Sequence, residues 1–399
     1  MRIHDSIHGY IDLDPIASAI VDTHVFQRLR HIHQTGVLYF VFPTATHTRF
    51  EHSIGTYHLA KQMISEIARK QPTLGVSDDL IQLVAIAGLC HDLGHLLFSH
   101  LFDEFLEHIN TGLDPESIHT KNSVHENRSI FLLRYAVQTY QIRLSSAQLR
   151  VIGDLINPSQ SEYHNWLPEY QVGQWIFQIV ANPVNSIDVD KFDYLTRDTR
   201  ATGLKLGFDY TRMIMDARVI DDEICYSSQC RDDIYHMFFI RYRLHRQIYN
   251  HKAVKALEIL MVDLLFELEK VFKISDYITD AEKMIQLVDY FVFSFPSLNS
   301  PINGIIRKIQ TRKLPKLVYQ NVSLEETTGH LSFAPESSYR VVQFKVGYVG
   351  GKTNPLTKIN FYNFKDGTKI ENKGSDFSLL INQNHQEYFF RVYCVHEDD

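Results

Sequence analysis

The alternation of hydrophobic and polar positions changes period twice along the chain. Residues 3–14 alternate apolar and polar around Gly9, which predicts a short N-terminal hairpin. From about 15 to 275 the apolar residues recur at helical spacing: Leu59, Met63 and Ile67 mark one face of a helix that begins near His52. Residues 79–90 are apolar nearly all round, the pattern of a fully buried helix. Residues 130–156 and 170–182 also predict helices, as does one long run from about 233 to 272. Asp221-Asp222 interrupts two β-type runs, which predicts a hairpin over 217–227. Beyond about 275 the character changes. Residues 287–304 mix aromatics with Pro and Ser, while 340–348, 357–363 and 386–395 alternate with β-branched and aromatic residues as strands do. Gly350-Gly351 marks a turn. The expected fold is mainly α, with a helical body over 1–275 and a smaller C-terminal α/β lobe over 276–399.

Composition narrows the function more than the fold. The chain has 399 residues, enough for a sizeable core in one large domain or two to three packed lobes. At 44% hydrophobic and 22% charged residues it has the balance of a soluble globular protein. A net charge of −7 gives no general pull toward nucleic acid or anionic membrane, so any phosphate-binding site must be local. The four cysteines, Cys90, Cys225, Cys230 and Cys394, are too few for a disulfide scaffold and do not complete a zinc-finger spacing. They read as ordinary thiols. No signal peptide opens the chain and apolar stretches such as 83–90 are too short to span a bilayer, so the expected setting is intracellular, cytoplasmic or nuclear. Histidine is unusually abundant, at 21 copies. These are either hydrogen-bonded core and surface groups or parts of a metal site, and spacing decides.

The sharpest local signal is Cys90-His91-Asp92-Leu93-Gly94-His95, placed directly after the buried helix. A histidine and a carboxylate there face a large desolvation cost unless something pairs with them. A divalent metal is a suitable partner for imidazole plus carboxylate. His95 falls four residues after His91, on the same face if the helix continues, and His100 and Asp103 follow. Two distant segments add to this. Arg49-Phe50-Glu51-His52 starts a separate helix, with His52 on the side of Leu59 and Met63. In Ile187-Asp188-Val189-Asp190-Lys191-Phe192-Asp193-Tyr194, continuing to Asp198, the residues Asp190, Tyr194 and Asp198 form one stripe at four-residue steps. Such a stripe is either a solvated acidic face or a site; its apolar-aromatic setting favours the site.

The H…HD…D order is the arrangement of the HD superfamily, and the chain resembles one family within it, the SAM-and-HD-domain deoxynucleotide triphosphohydrolases. The resemblance spans nearly the whole chain. It is carried by Asp22 to Arg30, Val41-Phe42-Pro43, His47 to Ser53, Ala87 to His95 with Phe98-Ser99-His100, Ile187 to Tyr194, and Leu244-His245-Arg246. It starts at the HD body, which implies that the family's SAM module is lacking. It implies that His52, His91, Asp92 and Asp190 hold a divalent metal (Fe, Mn, Zn or Mg), with Mg bound alongside the substrate. His95 and His125 would contact the phosphate under attack. His100 would give a proton to the leaving oxygen, with Asp103 and Glu126 as orienting partners. Arg49, Lys191 and Arg241 would contact the triphosphate tail. Gln34, Tyr194 and Asp198 would read the deoxyribose, and Tyr249 and Asn250 would hold sugar and base. The implied reaction converts a deoxynucleoside triphosphate to deoxynucleoside and tripolyphosphate. The implied assembly is a homo-oligomer, dimer or tetramer, activated by GTP or dGTP. Asp22, Gln27, Arg30, Arg312 and Lys316 match one activator pocket, and Arg212, His251 and Lys252 match part of a second. Ser227, Gln229 and Asp216 depart from that second pocket's pattern, so that site is expected to be weakened or lost.

Other readings of the same residues stay open. One is a different HD phosphohydrolase, acting on nucleoside monophosphates, cyclic dinucleotides or alarmones, for which the Arg49/Lys191/Arg241 cluster is not needed. Another is a nucleotide or nucleic-acid binder without turnover, served by the basic stretch 241–246; the acidic net charge argues against nucleic acid. A zinc peptidase is disfavoured because Asp92 stands where an H-E-x-x-H motif has its Glu base.

Overall fold

The computed structural model describes residues 1–109, 117–160, 165–294, 300–326, 338–348, 353–370, 377 and 384–395. Among them, the helices of ten residues or more are α1 (Arg49–Lys70), α2 (Asp78–Cys90), α3 (His100–Ile109), α4 (His125–Thr139), α5 (Ser146–Ile156), α6 (Val189–Thr202), α7 (Arg231–Leu244), α8 (Lys252–Phe272) and α9 (Ser300–Gln310). The chain is mainly α, as its periodicity predicts. The all-apolar run becomes α2, buried at Leu80 and continuously from Leu83 to Cys90, with Ser77 capping its start. α2 packs along α1 and against α5, and α6 also packs on α1. One continuous apolar core fills the helical body.

Three small sheets surround the helices. β1 (Arg2–Asp5) and β2 (Gly9–Asp12) form the predicted hairpin, with Ile3 opposite Ile11. β3 (Arg218–Ile220) and β4 (Glu223–Ser227) form the second one. β4 then pairs in parallel with β7 (Asn360–Tyr362), and β8 (Lys369–Ile370) completes a four-stranded sheet that joins the body to residues far along the chain. β5 (Lys316–Ser323) and β6 (Tyr339–Gly347) flank a central β9 (Gln386–Cys394), all antiparallel. The turn expected at Gly350-Gly351 lies outside the described residues. Cys90, Cys225, Cys230 and Cys394 are all free thiols. Among the described residues no helix is long and apolar enough to cross a membrane.

Four local expectations are corrected. The stretch 130–156 is two helices, α4 and α5, separated at 140–145; Ser145 and Gln148 make a reciprocal capping box that starts α5. Only a 3₁₀ turn, Gln174–Gln178, forms within 170–182, because Trp175, Ile176 and Phe177 are buried at consecutive positions rather than along one face. The run 233–272 is not one helix: α7 ends at Leu244, a π-helical turn covers His245–Tyr249, and α8 restarts at Lys252. Finally, α2 stops at Cys90, so His91 and His95 do not share a helical face. Residues 91–99 instead turn tightly, with Phe98 and Ser99 in left-handed conformations at φ 54° and 61°. Strain of this kind concentrates where a chain must aim side chains at a site.

Candidate active site

Four side chains from three separate segments, the starts of α1 and α6 and the turn after α2, meet at one point. His52 Nε2 lies 3.3 Å from His91 Nε2, 3.3 Å from Asp92 Oδ2 and 3.0 Å from Asp190 Oδ1. His91 Nε2 lies 3.5 Å from both Asp92 Oδ1 and Asp190 Oδ1. Donors each about 2.1 Å from a shared ion would be separated by distances of this size. The remaining nitrogens of the two rings are committed elsewhere. His52 Nδ1 is 2.7 Å from Asp193 Oδ2, and His91 Nδ1 is 2.8 Å from the Gly88 carbonyl, which can only accept. Both rings thus carry their proton on Nδ1, and both Nε2 lone pairs face the two carboxylates. Four acceptors converge, so a cation fits between them. The carboxylates attract positive charge of either kind, a proton or a metal ion: burial disfavours charge on His52, yet hydrogen bonds with Asp190, Asp193 and Asp92 outweigh it and hold its pKa well above the ordinary range, and a bound cation would replace the proton on Nε2. Burial also opposes ionisation of Asp190, but its contacts with His52 and His91 keep that carboxyl far below its usual value. Mixed His and Asp ligation suits Fe, Mn, Zn or Mg.

Local sequence explains the convergence. His52 sits in the first turn of α1, and Asp190 in the first turn of α6, whose start is fixed by Asp188 accepting from the Lys191 amide. Gly55 lets α6 approach α1 closely; a Cβ there would collide with Asp193. Asp193 was not singled out by sequence reasoning. It receives Arg197 Nε and Nη2 at 2.9 and 2.8 Å and meets His8 Nε2 at 2.6 Å, while holding His52. Such outer partners fix the tautomer and orientation of a metal-binding imidazole. Asp193→Asn is therefore expected to weaken metal retention about 10- to 100-fold, read by competition with a chelator.

A second cluster adjoins the first. His95, fully buried, stacks on His125 with ring centroids 4.0 Å apart and meets His100 edge-on at 4.8 Å. Gly94 permits this: a side chain there would strike the backbone of His125 and Ser129 in α4. Neither ring nitrogen of His95 has a well-aligned partner among the described residues. Burial, then Arg49 and His125, push its pKa well below the imidazole range, so it is neutral. Asp103 Oδ2 is 3.4 Å from Nδ1 of both His100 and His125, and His125 Nδ1 is 3.5 Å from Glu126 Oε2. The other Asp103 oxygen is gripped by Arg128, a residue that sequence reasoning missed. His95, His100, Asp103 and His125 are themselves close enough to share an ion.

Both clusters open into a cavity of about 720 Å³. Its wall includes Gln34, Arg49, Lys191, Tyr194, Asp198, Arg241, Tyr249 and Asn250, and it also receives His245, Lys255 and Glu258, which sequence reasoning did not identify. Arg49 is tied to Asp92 and Ser99, Lys191 Nζ is 3.1 Å from Asp188, and Arg241 donates to the Gly347 carbonyl at 2.6 Å. Asp198 accepts from the Tyr249 hydroxyl at 2.5 Å and meets His47 at 2.6 Å. Gln34 Oε1 is buried with no partner among the described residues. The π-helical turn brings His245 and Tyr249 to the wall together; such turns recur at functional sites.

The residues matched to activator pockets lie outside this cavity. Asp22 and Arg30 are exposed, Arg30 bonds Gln27 Oε1 at 2.9 Å, and its guanidinium lies 3.5 Å over the Phe50 ring. Arg212 pairs with Asp233 at 2.6 Å, and His251 Nδ1 accepts from the Ala253 amide just beyond it. Lys252 and Lys316 are exposed, and Arg312 donates to the Phe40 carbonyl at 2.6 Å.

The HD domain profile matches residues 49–171. The chain is 34% identical to the deoxynucleoside triphosphate triphosphohydrolase SAMHD1 homolog of Dictyostelium discoideum, over 98% of this chain and 77% of that protein. It is 30% identical to deoxynucleoside triphosphate triphosphohydrolase SAMHD1 of Mus musculus, over 99% of this chain and 68% of that protein. The corresponding figures for the Homo sapiens protein are 30%, 99% and 70%.

Proposed function

This chain belongs to the HD-domain family of SAMHD1-type deoxynucleoside triphosphate triphosphohydrolases, and from that membership we propose that it hydrolyses deoxynucleoside triphosphates to deoxynucleoside and tripolyphosphate. The observation that carries this reading is the joining of two features in one cavity: a four-ligand His/Asp cluster, and basic side chains able to hold a polyphosphate. It is a hydrolase with a divalent metal site, in which His52, His91, Asp92 and Asp190 are the ligands. The ion, once bound, supplies Lewis acidity and an activated water.

The protein's own groups perform the rest. Lys191, Arg241 and Arg49 hold the tail and offset its charge. His95 and His125 contact the phosphate at which the bond breaks. The neutral state of His95 lets it donate from one nitrogen and accept at the other. His100 protonates the departing 5′ oxygen; its side chain is 73% exposed, so bulk water can restore the proton. Asp103 and Glu126 orient His100 and His125. Gln34, Tyr194 and Asp198 read the sugar, and Tyr249 and Asn250 hold sugar and base. Mg accompanies the substrate's phosphates. We extend the proposal to a homo-oligomeric, intracellular enzyme whose activity rises with GTP or dGTP through Asp22, Gln27, Arg30, Arg312 and Lys316. Arg212, His251 and Lys252 belong to a second activator site that is weakened or lost.

The test is to incubate purified protein with dGTP and Mn or Mg, with and without GTP. The expected products are deoxyguanosine and intact tripolyphosphate. Stepwise release of orthophosphate would favour a different HD phosphohydrolase, and full activity without GTP would remove the activation arm.

A further inference from the structure

α8 supplies no metal ligand, yet it brings one charged pair to the cavity wall. Lys255 Nζ stands 2.6 Å from Glu258 Oε2, both side chains are largely buried, and both face the cavity. Lys255 Nζ also lies 5.6 Å from the centre of the Phe344 ring, which stacks on Phe389 at 5.0 Å and 4°. The aromatic side of the β5-β9-β6 sheet thus flanks it. Lys191, Arg241, His245 and Lys255 all line the cavity. Burial, then Arg241, Lys255, His100 and Lys191, hold the His245 imidazole neutral.

An exposed pair three residues apart on a helix is worth little and asks for no explanation. A pair taken out of water does, because desolvating two charges offsets most of their attraction. Glu258 is a poor permanent partner: burial, opposed by Lys255 and reinforced by Glu104, raises its pKa. An anion of higher charge entering the cavity would compete well for the same ammonium.

Resting on the proposed reaction, we propose that Lys255 is a further phosphate-tail contact, which Glu258 holds in place and yields when a polyphosphate enters. Lys255 then helps the pocket read chain length, favouring triphosphates over shorter tails.

The test uses the full chain with saturating Mg and inorganic polyphosphates as ligands, by calorimetry. Lys255→Gln is expected to weaken tripolyphosphate binding about tenfold while changing pyrophosphate binding much less. Lys255→Arg should restore most of the loss, and Glu258→Gln should bind tripolyphosphate as well as or better than the wild type. The inference is overturned if Lys255→Gln binds tripolyphosphate normally, or if Glu258→Gln weakens binding as much as Lys255→Gln, the mark of a structural pair. Thermal melts accompany each variant; should Lys255→Gln not fold, the Arg and Gln substitutions at 255 and 258 still decide. Lys255-dependent tripolyphosphate binding in a protein that releases none from dGTP would sink the proposed reaction and spare this inference.

Discussion

Replacing His91 by Ala is expected to strip the metal and cut hydrolysis by about a thousandfold or more, while leaving the fold in place. The size follows from what the ion contributes, several kcal/mol of charge stabilisation together with water activation. The choice of residue follows from the contacts. Outside the ligand set and among the described residues, the His91 side chain hydrogen-bonds the Gly88 carbonyl of its own helix end, while Ser129 bonds its backbone carbonyl, which Ala keeps, so the substitution removes one ligand and little else. The stability change should stay within about 2 kcal/mol. Asp92 is a harsher position, because the same carboxylate neutralises buried Arg49. Asp92→Ala leaves a guanidinium unpaired in the interior, at a cost of about 3–5 kcal/mol. The pair of variants thus separates chemistry from folding: both lose activity, but only Asp92→Ala loses much stability. Metal content and urea unfolding of the two proteins check this. A His91→Ala protein that kept a full complement of metal and near-normal turnover would mean that the proposed centre is not the catalytic one.

The parts of this centre legible in the sequence are those that obey a period. An apolar run with no polar face had to be buried, which put His91 and Asp92 at the end of a core helix and made a partner necessary. The four-residue steps from Asp190 to Tyr194 and Asp198 lie on one side of α6, and all three reach the cavity. What periodicity could not carry is set by turns and by close approach. His95 arrives through the left-handed Phe98-Ser99 corner and the absence of a side chain at Gly94, neither of which alters a hydrophobic pattern. The π-helical turn is equally silent, because apolar residues continue through Leu244 and Ile248 as if the helix ran on. Asp193 falls off the stripe that marks Asp190, and reads as belonging to another face until α1 is seen to lie there. Lys255 and Glu258 look like any helical surface pair; in the fold they line the cavity, with Phe344 of β6 beside Lys255.

Arg128 shows how much of the site depends on a residue with no chemistry of its own, and Arg128→Met is expected to destabilise the protein by about 3–5 kcal/mol. The guanidinium is fully buried. It donates to the Gly94 carbonyl at 2.8 Å, to the Asn122 and Ser123 carbonyls at 2.9 and 2.8 Å, and to Asp103. One side chain thus ties the 91–99 turn, the residues before α4 and the carboxylate beside His100 and His125. Removing it leaves three carbonyls and a carboxylate without their partner, and each buried orphan is costly. The loss should depend on pH. Burial works against the Asp103 carboxylate, but Arg128, then His100 and His125, hold its pKa well below the usual range. A carboxyl depressed in the folded state stabilises the fold above its unfolded value, about 4, and that contribution disappears as the pH falls through the folded value. Without Arg128 the depression shrinks, so less stability remains to be lost in acid. The gap between wild type and variant should be widest at neutral pH and narrow below about pH 4. Urea unfolding followed from pH 7 down to about pH 2 measures it; a gap of equal size throughout would mean that Arg128 acts through its carbonyl contacts alone and that Asp103 is held by other groups.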